Sequence, residues 1–291
     1  MIKIVTDTTA YFNDDELKRY DIKIVPLYVK NERGQWKERI EISDDEFYER
    51  LKSGERFETS QPSPQDFIDA YKPLLDEGHE IISIHISTGL SGTVNSANAA
   101  KTLLQTDKIT VIDSKSSSAN LLRKVLLAYD LANKGYTREQ IAEEIEKSYS
   151  RIFGFFLPMD IQYLERGGRI SHFQSKISTA LKLYFIVHLN EGRIDFYKLG
   201  RTRKGSTEEL INIVKGLKNK FDGFEYVDTI YGANVEEGEE FRKRVEDAFG
   251  QKVTKYRVGP VLGAHLGPEF LGIGVVCKIK EVNDGESKNR N

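Results

Sequence analysis

Three short segments join hydroxyls or an imidazole to glycines: Thr59-Ser60-Gln61-Pro62-Ser63-Pro64, Ser87-Thr88-Gly89-Leu90-Ser91-Gly92-Thr93 and Gly259-Pro260-Val261-Leu262-Gly263-Ala264-His265-Leu266-Gly267-Pro268. Glycine lets backbone N–H groups approach a ligand closely. Two of the segments lead into expected helices, where unpaired N–H groups and the helix dipole favour an anion. No general base, metal cluster or nucleotide loop accompanies them. The chemistry they suit is the holding of a small anionic head group.

Within the second segment Ser91 can donate through its hydroxyl, and the amides of Gly92 and Thr93 offer two further donors. The same residues also read as a helix start that caps only itself. Gly89-Leu90-Ser91-Gly92-Thr93 approaches the G-x-S-x-G nucleophile elbow, with Thr in place of the last Gly. His265 could then act as a distant base, although no acid is evident to orient it. Ser63-Pro64 is a good helix start, which leaves the hydroxyls of Thr59 and Ser60 as a hydrogen-bonding wall. His265 is the one histidine set in such a loop, and its ring can donate to a carboxylate. His85 and His188 fall in expected strands and His79 in a turn, with His172 as a surface or capping group, and none has metal-ligand spacing. Arg169, after the tight turn Gly167-Gly168, either pairs with a carboxylate at a domain interface or stabilises a ligand's charge at longer range.

These groups need a scaffold, and the first half of the chain supplies a strand–helix alternation. Strands are expected near residues 3–5, 24–29, 80–86 and 109–112. Helices are expected at 14–20, from Ser43 to about Ser53, from Ser63-Pro64, near 93–104, and from Thr137. Asn31-Glu32-Arg33-Gly34-Gln35 reads as the hairpin of a small β-ribbon. The alternation implies a mostly parallel, helix-flanked sheet. Beyond Pro158 come a turn at 164–170, a hairpin closed by Asn190-Glu191-Gly192, helices at 207–221 and 236–249, and strands at 227–231, 254–258 and 271–278. The expected class is therefore α/β with two domains. An N-terminal α/β domain covers 1–157, with the ribbon inserted near 29–42. A C-terminal α+β domain with a partly antiparallel sheet covers 158–282, and 283–291 form a polar tail.

Composition excludes several functions. The 291 residues hold 45 acidic and 43 basic side chains, a net charge of −2, which gives no electrostatic reason to bind nucleic acid or an anionic membrane. Cys277 is the single cysteine, so no internal disulfide or CxxC site can form, and a small core residue is expected there. The N-terminus reads as a strand without the apolar region of a signal peptide, and runs such as 184–189 and 271–277 are too short to span a bilayer. A cytoplasmic protein is expected. Neither a P-loop nor a G-x-G-x-x-G fingerprint is present.

Taken in order, Asp7-Thr8-Thr9-Ala10, Thr59 through Ser63, Ser87 through Ala97, Arg166-Gly167-Gly168-Arg169-Ile170-Ser171 and Gly259 through Pro268 resemble the DegV family of bacterial lipid-binding proteins. The resemblance runs to about Lys280 and departs from the family pattern at Ala264, Leu266 and Glu269. It implies a non-catalytic protein that takes one long-chain fatty acid such as palmitate and no other cofactor. The carboxylate would lie between the domains and the chain in an apolar pocket of the second, lined from segments such as 177–189 and 266–276. It further implies a separate kinase partner to which bound fatty acid is presented for lipid metabolism. Thr59 and Ser91 would bond the carboxylate, with Ser60 a further member of that wall. Gly92 would add a backbone donor, and His265 with Arg169 positive or donor character. The alternative is a serine-nucleophile acyl hydrolase or transferase using Ser91 and His265. A DNA-associated regulator is disfavoured by the charge.

Overall fold

Ile2–Asp7 (β1) and Glu80–His85 (β6) are buried along most of their length, as strands covered on both faces must be. The computed structural model describes residues 1–170 and 183–280, and in it these strands form the centre of a four-stranded parallel sheet. Ile22–Val25 (β2) and Ile109–Asp113 (β7) complete it in the order β2-β1-β6-β7. Helices Pro64–Asp76 (α3) and Thr93–Leu103 (α4) cover one face, and Ser118–Asn133 (α5) and Arg138–Ser148 (α6) the other. Ser63, Ser43 and Thr137 accept first-turn amides as N-caps, so these helices start where the sequence signals them.

The expected ribbon is present as Tyr28–Asn31 (β3) and Gly34–Lys37 (β4), joined by Glu58–Ser60 (β5) in the order β4-β3-β5. Asp44–Lys52 (α2) packs beside it, and Asp14–Arg19 (α1) follows β1.

The C-terminal sheet has six strands, in the order β10-β9-β8-β13-β11-β12. They are Ile152–Pro158 (β8), Tyr184–Asn190 (β9), Arg193–Gly200 (β10), Phe224–Tyr231 (β11), Thr254–Arg257 (β12) and Phe270–Cys277 (β13). Pairing is antiparallel except between β11 and β12. Because β8 pairs with β13, the change of sheet falls between Ser148 and Ile152, ahead of the boundary expected at 157. Helices Arg203–Gly216 (α8) and Val235–Phe249 (α9) cover one face. Cys277 is a buried core residue of that layer. The opposite face meets the N-terminal part, with α5 packed against both sheets. Arg123 on α5 grips Asp228 on β11 through bonds of 2.7 Å from Nε and 2.5 Å from Nη2, tying the layers together.

Two expectations are revised. The helix α5 stands where no helix is expected from the sequence, and the third polar loop contains a seven-residue helix, Pro260–Leu266 (α10), with proline at its first position. Gln162–Arg166 (α7) precedes the turn at Gly167-Gly168. Among the described residues no helix is long and apolar enough to cross a membrane, and no group of three or more His, Cys, Asp or Glu could hold a metal ion. Ser171, His172, the pocket segment 177–182 and the tail 283–291 lie outside the described residues.

Candidate functional site

Ser87–Thr93 emerges beyond the carboxyl end of β6, where ligands bind in open α/β sheets. A buried network fixes this exit. Asp7 Oδ2 accepts the Ile86 N–H at 2.8 Å and lies 3.1 Å from His85 Nδ1. His85 Nε2 contacts Ser83 Oγ at 2.6 Å, and Ser83 meets the Tyr71 hydroxyl at 2.7 Å. The acid–imidazole–hydroxyl order imitates a catalytic triad. All four side chains are fully buried, so no substrate reaches them and the network acts as a support. Ser87 is committed as well, donating to the Gly192 carbonyl at 2.7 Å and docking the loop on the β9–β10 hairpin.

Beyond this exit lies a cavity of about 300 Å³ between the two sheets. It brings together Thr59, Ser60, Ser91, Gly92, Arg169 and His265, whose positions span more than two hundred residues of chain. Thr59 is held by β5, where it pairs with Val29 of β3, and its Oγ1 lies 2.9 Å from His265 Nε2. Ser60 turns its hydroxyl onto the Gln61 carbonyl at 3.3 Å. Ser91 Oγ sits 2.9 Å from Thr93 Oγ1. Gly92 is the N-cap of α4 and supplies no side-chain acceptor, so first-turn amides remain available to an anion.

Gln61 belongs to the site although its role was not read from sequence. Its Nε2 donates to Ser96 Oγ at 2.9 Å, and its amide lies against Gly92, where a methyl group would come within 2.0 Å of Oε1. The glycine there is what admits Gln61.

Arg169 is half-buried and donates to the backbone carbonyls of Leu90, at 3.3 Å, and Gly167. It has no carboxylate partner among the described residues, and burial draws its pKa down. His265 is half-buried, and that burial, then the neighbouring Arg169, pushes its pKa down to about 3. The ring is therefore neutral near pH 7, which replaces the positive character considered for it with hydrogen-bonding character alone. Its Nδ1 has no hydrogen-bond partner among the described residues and lies against Gly167. An unpaired lone pair is tolerated better than an unpaired N–H, which favours the Nε2–H tautomer donating to Thr59. The Thr59 hydroxyl proton is then free to point at a ligand.

Apart from a polar stretch at 117–120, most of the remaining described lining is apolar, with Ile86, Leu90, Phe155, Phe156, Ile194 and Ile273 contributing to it. Arg169 is the one permanently charged side chain among the described lining residues, and none of them carries a carboxylate. Such a cavity can neutralise one negative charge and bury a hydrocarbon beside it.

Comparison with known proteins agrees with this architecture. A DegV domain-containing protein of Listeria innocua is 33% identical over 276 residues, covering 94% of this chain and 97% of that protein. One from Staphylococcus aureus is 31% identical over 281 residues, covering 94% and 98%. Among solved structures, a fatty-acid-binding DegV family protein of Thermus thermophilus superposes with a TM-score of 0.87 at 29% identity, over 95% of this chain and 99% of that one. A stearic acid-binding protein of Eubacterium ventriosum gives 0.87 at 28% identity over 96% and 99%. DegV of Bacillus subtilis, a fatty acid binding protein, gives 0.85 at 30% identity over 95% and 99%. The model of the DegV family, described as uncharacterised proteins, matches residues 1–278, and this chain belongs to that family.

Proposed function

We propose that this protein binds one long-chain fatty acid and presents it, unreacted, to a partner kinase that makes the acyl phosphate. The observation that carries the reading is the composition of the described cavity wall: hydroxyl, amide, imidazole and guanidinium donors, with one fixed positive charge and no acid among the described lining residues, beside a largely apolar lining. Thr59, Ser91 and the amides after Gly92 hold the carboxylate, Arg169 balances its charge, and His265 orients Thr59. Ser60, whose hydroxyl faces the Gln61 carbonyl, has a minor part. Burying about fifteen methylenes offers on the order of 12 kcal/mol gross at roughly 0.8 kcal/mol each. Lost translational freedom and head-group desolvation reduce that figure. The similar solved structures described as fatty-acid-binding support the ligand class.

A carrier role is also supported over acyl hydrolysis by the partners of the two candidate catalytic groups. His265 Nε2 is engaged by Thr59, and Ser91 Oγ by Thr93. Among the described residues no base contacts the serine hydroxyl.

Denaturing extraction of the purified protein followed by mass spectrometry is expected to release stoichiometric fatty acid. Absence of such a ligand, together with no binding of added palmitate or oleate, would overturn the proposal. Release of acyl phosphate only when a fatty acid kinase and ATP are added would support the presenting role. Hydrolysis of acyl esters by the protein alone would refute it.

A further inference from the structure

We propose that the first turn of α5 is a second polar subsite of the same cavity, built to hydrogen-bond a hydroxyl carried on the acyl chain. Ser117, Ser118, Ala119 and Asn120 all line the cavity, and this turn opens a helix of 16 residues. The Ser117 N-cap makes no side-chain hydrogen bond, so the amides that follow lack a side-chain acceptor.

Two buried polar side chains in this turn are unpartnered. Ser118 is 4% exposed and Asn120 5%, yet Ser118 Oγ and Asn120 Oδ1 have no hydrogen-bond partner among the described residues. The Asn120 amide is wedged against a pair of glycines facing each other on β8 and β13. A methyl at Gly154 would approach Nδ2 to 2.6 Å, and one at Gly274 would approach Oδ1 to 2.5 Å. The absence of side chains at both positions makes room for an amide that bonds to neither strand. None of this belongs to the head-group site, whose residues come from β5, the β6–α4 loop, the α7 turn and α10.

A buried polar group needs a partner, and a methylene supplies none. A hydroxyl both donates and accepts, which matches an amide oxygen and a serine hydroxyl together. A second carboxylate is less well served, since Arg169 is the one fixed positive charge among the described lining residues. The ligand class that satisfies both ends of the cavity is a long-chain fatty acid hydroxylated along its chain. This inference rests on the fatty-acid reading above and adds the recognition of the chain oxygen.

The test compares stearate with a series of mid-chain hydroxystearates by calorimetric titration of delipidated wild type, Ser118→Ala and Ser118→Ala/Asn120→Leu. Leucine has nearly the shape of asparagine, and the single serine variant serves if the double variant unfolds. At least one positional isomer is expected to bind wild type about tenfold more tightly, relative to stearate, than it binds the double variant. The serine variant should fall between them. A hydroxystearate-to-stearate ratio equal in wild type and variants for every isomer would overturn the subsite. That holds also if an ordered water alone bridges Ser118 and Asn120 in a crystal structure. Tight stearate binding with an unchanged ratio refutes this inference alone, whereas failure of every acid to bind wild type refutes the fatty-acid reading itself.

Discussion

Thr59 Oγ1 lies 2.9 Å from His265 Nε2, joining side chains 206 positions apart across the wall of the cavity. The threonine is fixed by the ribbon and the histidine by α10, so the contact closes the site between two separate elements. Thr59→Val removes the hydroxyl proposed to donate to the carboxylate and takes away the partner of His265 Nε2. A charge-assisted hydrogen bond contributes roughly 1.5–3 kcal/mol, so palmitate affinity should fall about tenfold or more, with Thr59→Ser close to wild type. Thr59→Val combined with Ser91→Ala should lose fatty acid while still unfolding cooperatively. Retained palmitate binding by that double variant, measured by equilibrium dialysis, would place the head group elsewhere.

The sequence carried the strands, the ribbon and the capped helices because their signals are local. Asn13, Ser43, Ser63 and Thr137 cap the helices their spacing announces. What it did not carry is α5. That helix is covered by a sheet on each side, buries Leu121, Leu122, Val125 and even Lys124, and so lacks the polar face that makes a helix readable. The six site residues were legible as polar motifs, but their convergence was legible only through the ordered family pattern. Gln61 stayed silent because its partner Ser96 and its neighbour Gly92 are brought to it by the fold. The neutrality of His265 likewise depends on burial, which no local pattern records.

Glu38 should give the protein a stability that falls as pH rises through neutrality. Its Oε1 accepts the Val261 N–H at 2.8 Å and the Tyr11 hydroxyl at 3.0 Å, under the start of α10. Burial raises its pKa from 4.5 to about 7, against the opposing pull of the Val261 amide and Arg39. Between those values the native state binds the proton that the unfolded chain has released, so stability drops with rising pH, by about 3 kcal/mol across the window. Glu38→Gln keeps an acceptor and removes the titration. Urea unfolding at pH 5 and pH 7.5 should show the variant gaining on wild type at the higher pH. An equal difference at both values would exclude this role for the carboxyl.

His265 acts in the opposite direction. Its depressed pKa, about 3 against 6.5, means that the unfolded chain binds a proton the native ring refuses. The contribution is present above 6.5 and is lost as pH falls toward 3. His265→Asn should therefore narrow its stability deficit on acidification from pH 7 to pH 5, whereas a constant deficit would mean the ring titrates normally in the fold.

The Arg123–Asp228 pair should govern cohesion of the two sheets rather than ligand affinity. Both side chains are buried, 11% and 1% exposed, and Arg123 also lies 4.2 Å over the Tyr226 ring. Removing one partner strands a buried charge, so Asp228→Ala should cost about 3–5 kcal/mol. Replacing both, as Arg123→Met with Asp228→Leu, should recover much of that. Chemical denaturation of the three variants separates the cases, and a double variant no better than Asp228→Ala would show that the pair itself stabilises the fold.

Gly167 and Gly168 are adjacent, yet their substitution should have different consequences. Gly167 faces His265, and a methyl there would lie 2.2 Å from Nδ1, pushing the ring away from Thr59. Gly168 has a φ of +70° with open space around it, so alanine there strains only the backbone. That strain costs about 1–2 kcal/mol of stability and touches no ligand group. Gly167→Ala is therefore expected to weaken palmitate binding about tenfold, the scale of one lost charge-assisted bond, while Gly168→Ala lowers the melting temperature and leaves affinity within about twofold. Calorimetric titration beside thermal unfolding distinguishes the two. If both variants lose affinity in proportion to stability, the turn supports the fold as a unit and His265 does not hold Thr59 for the ligand.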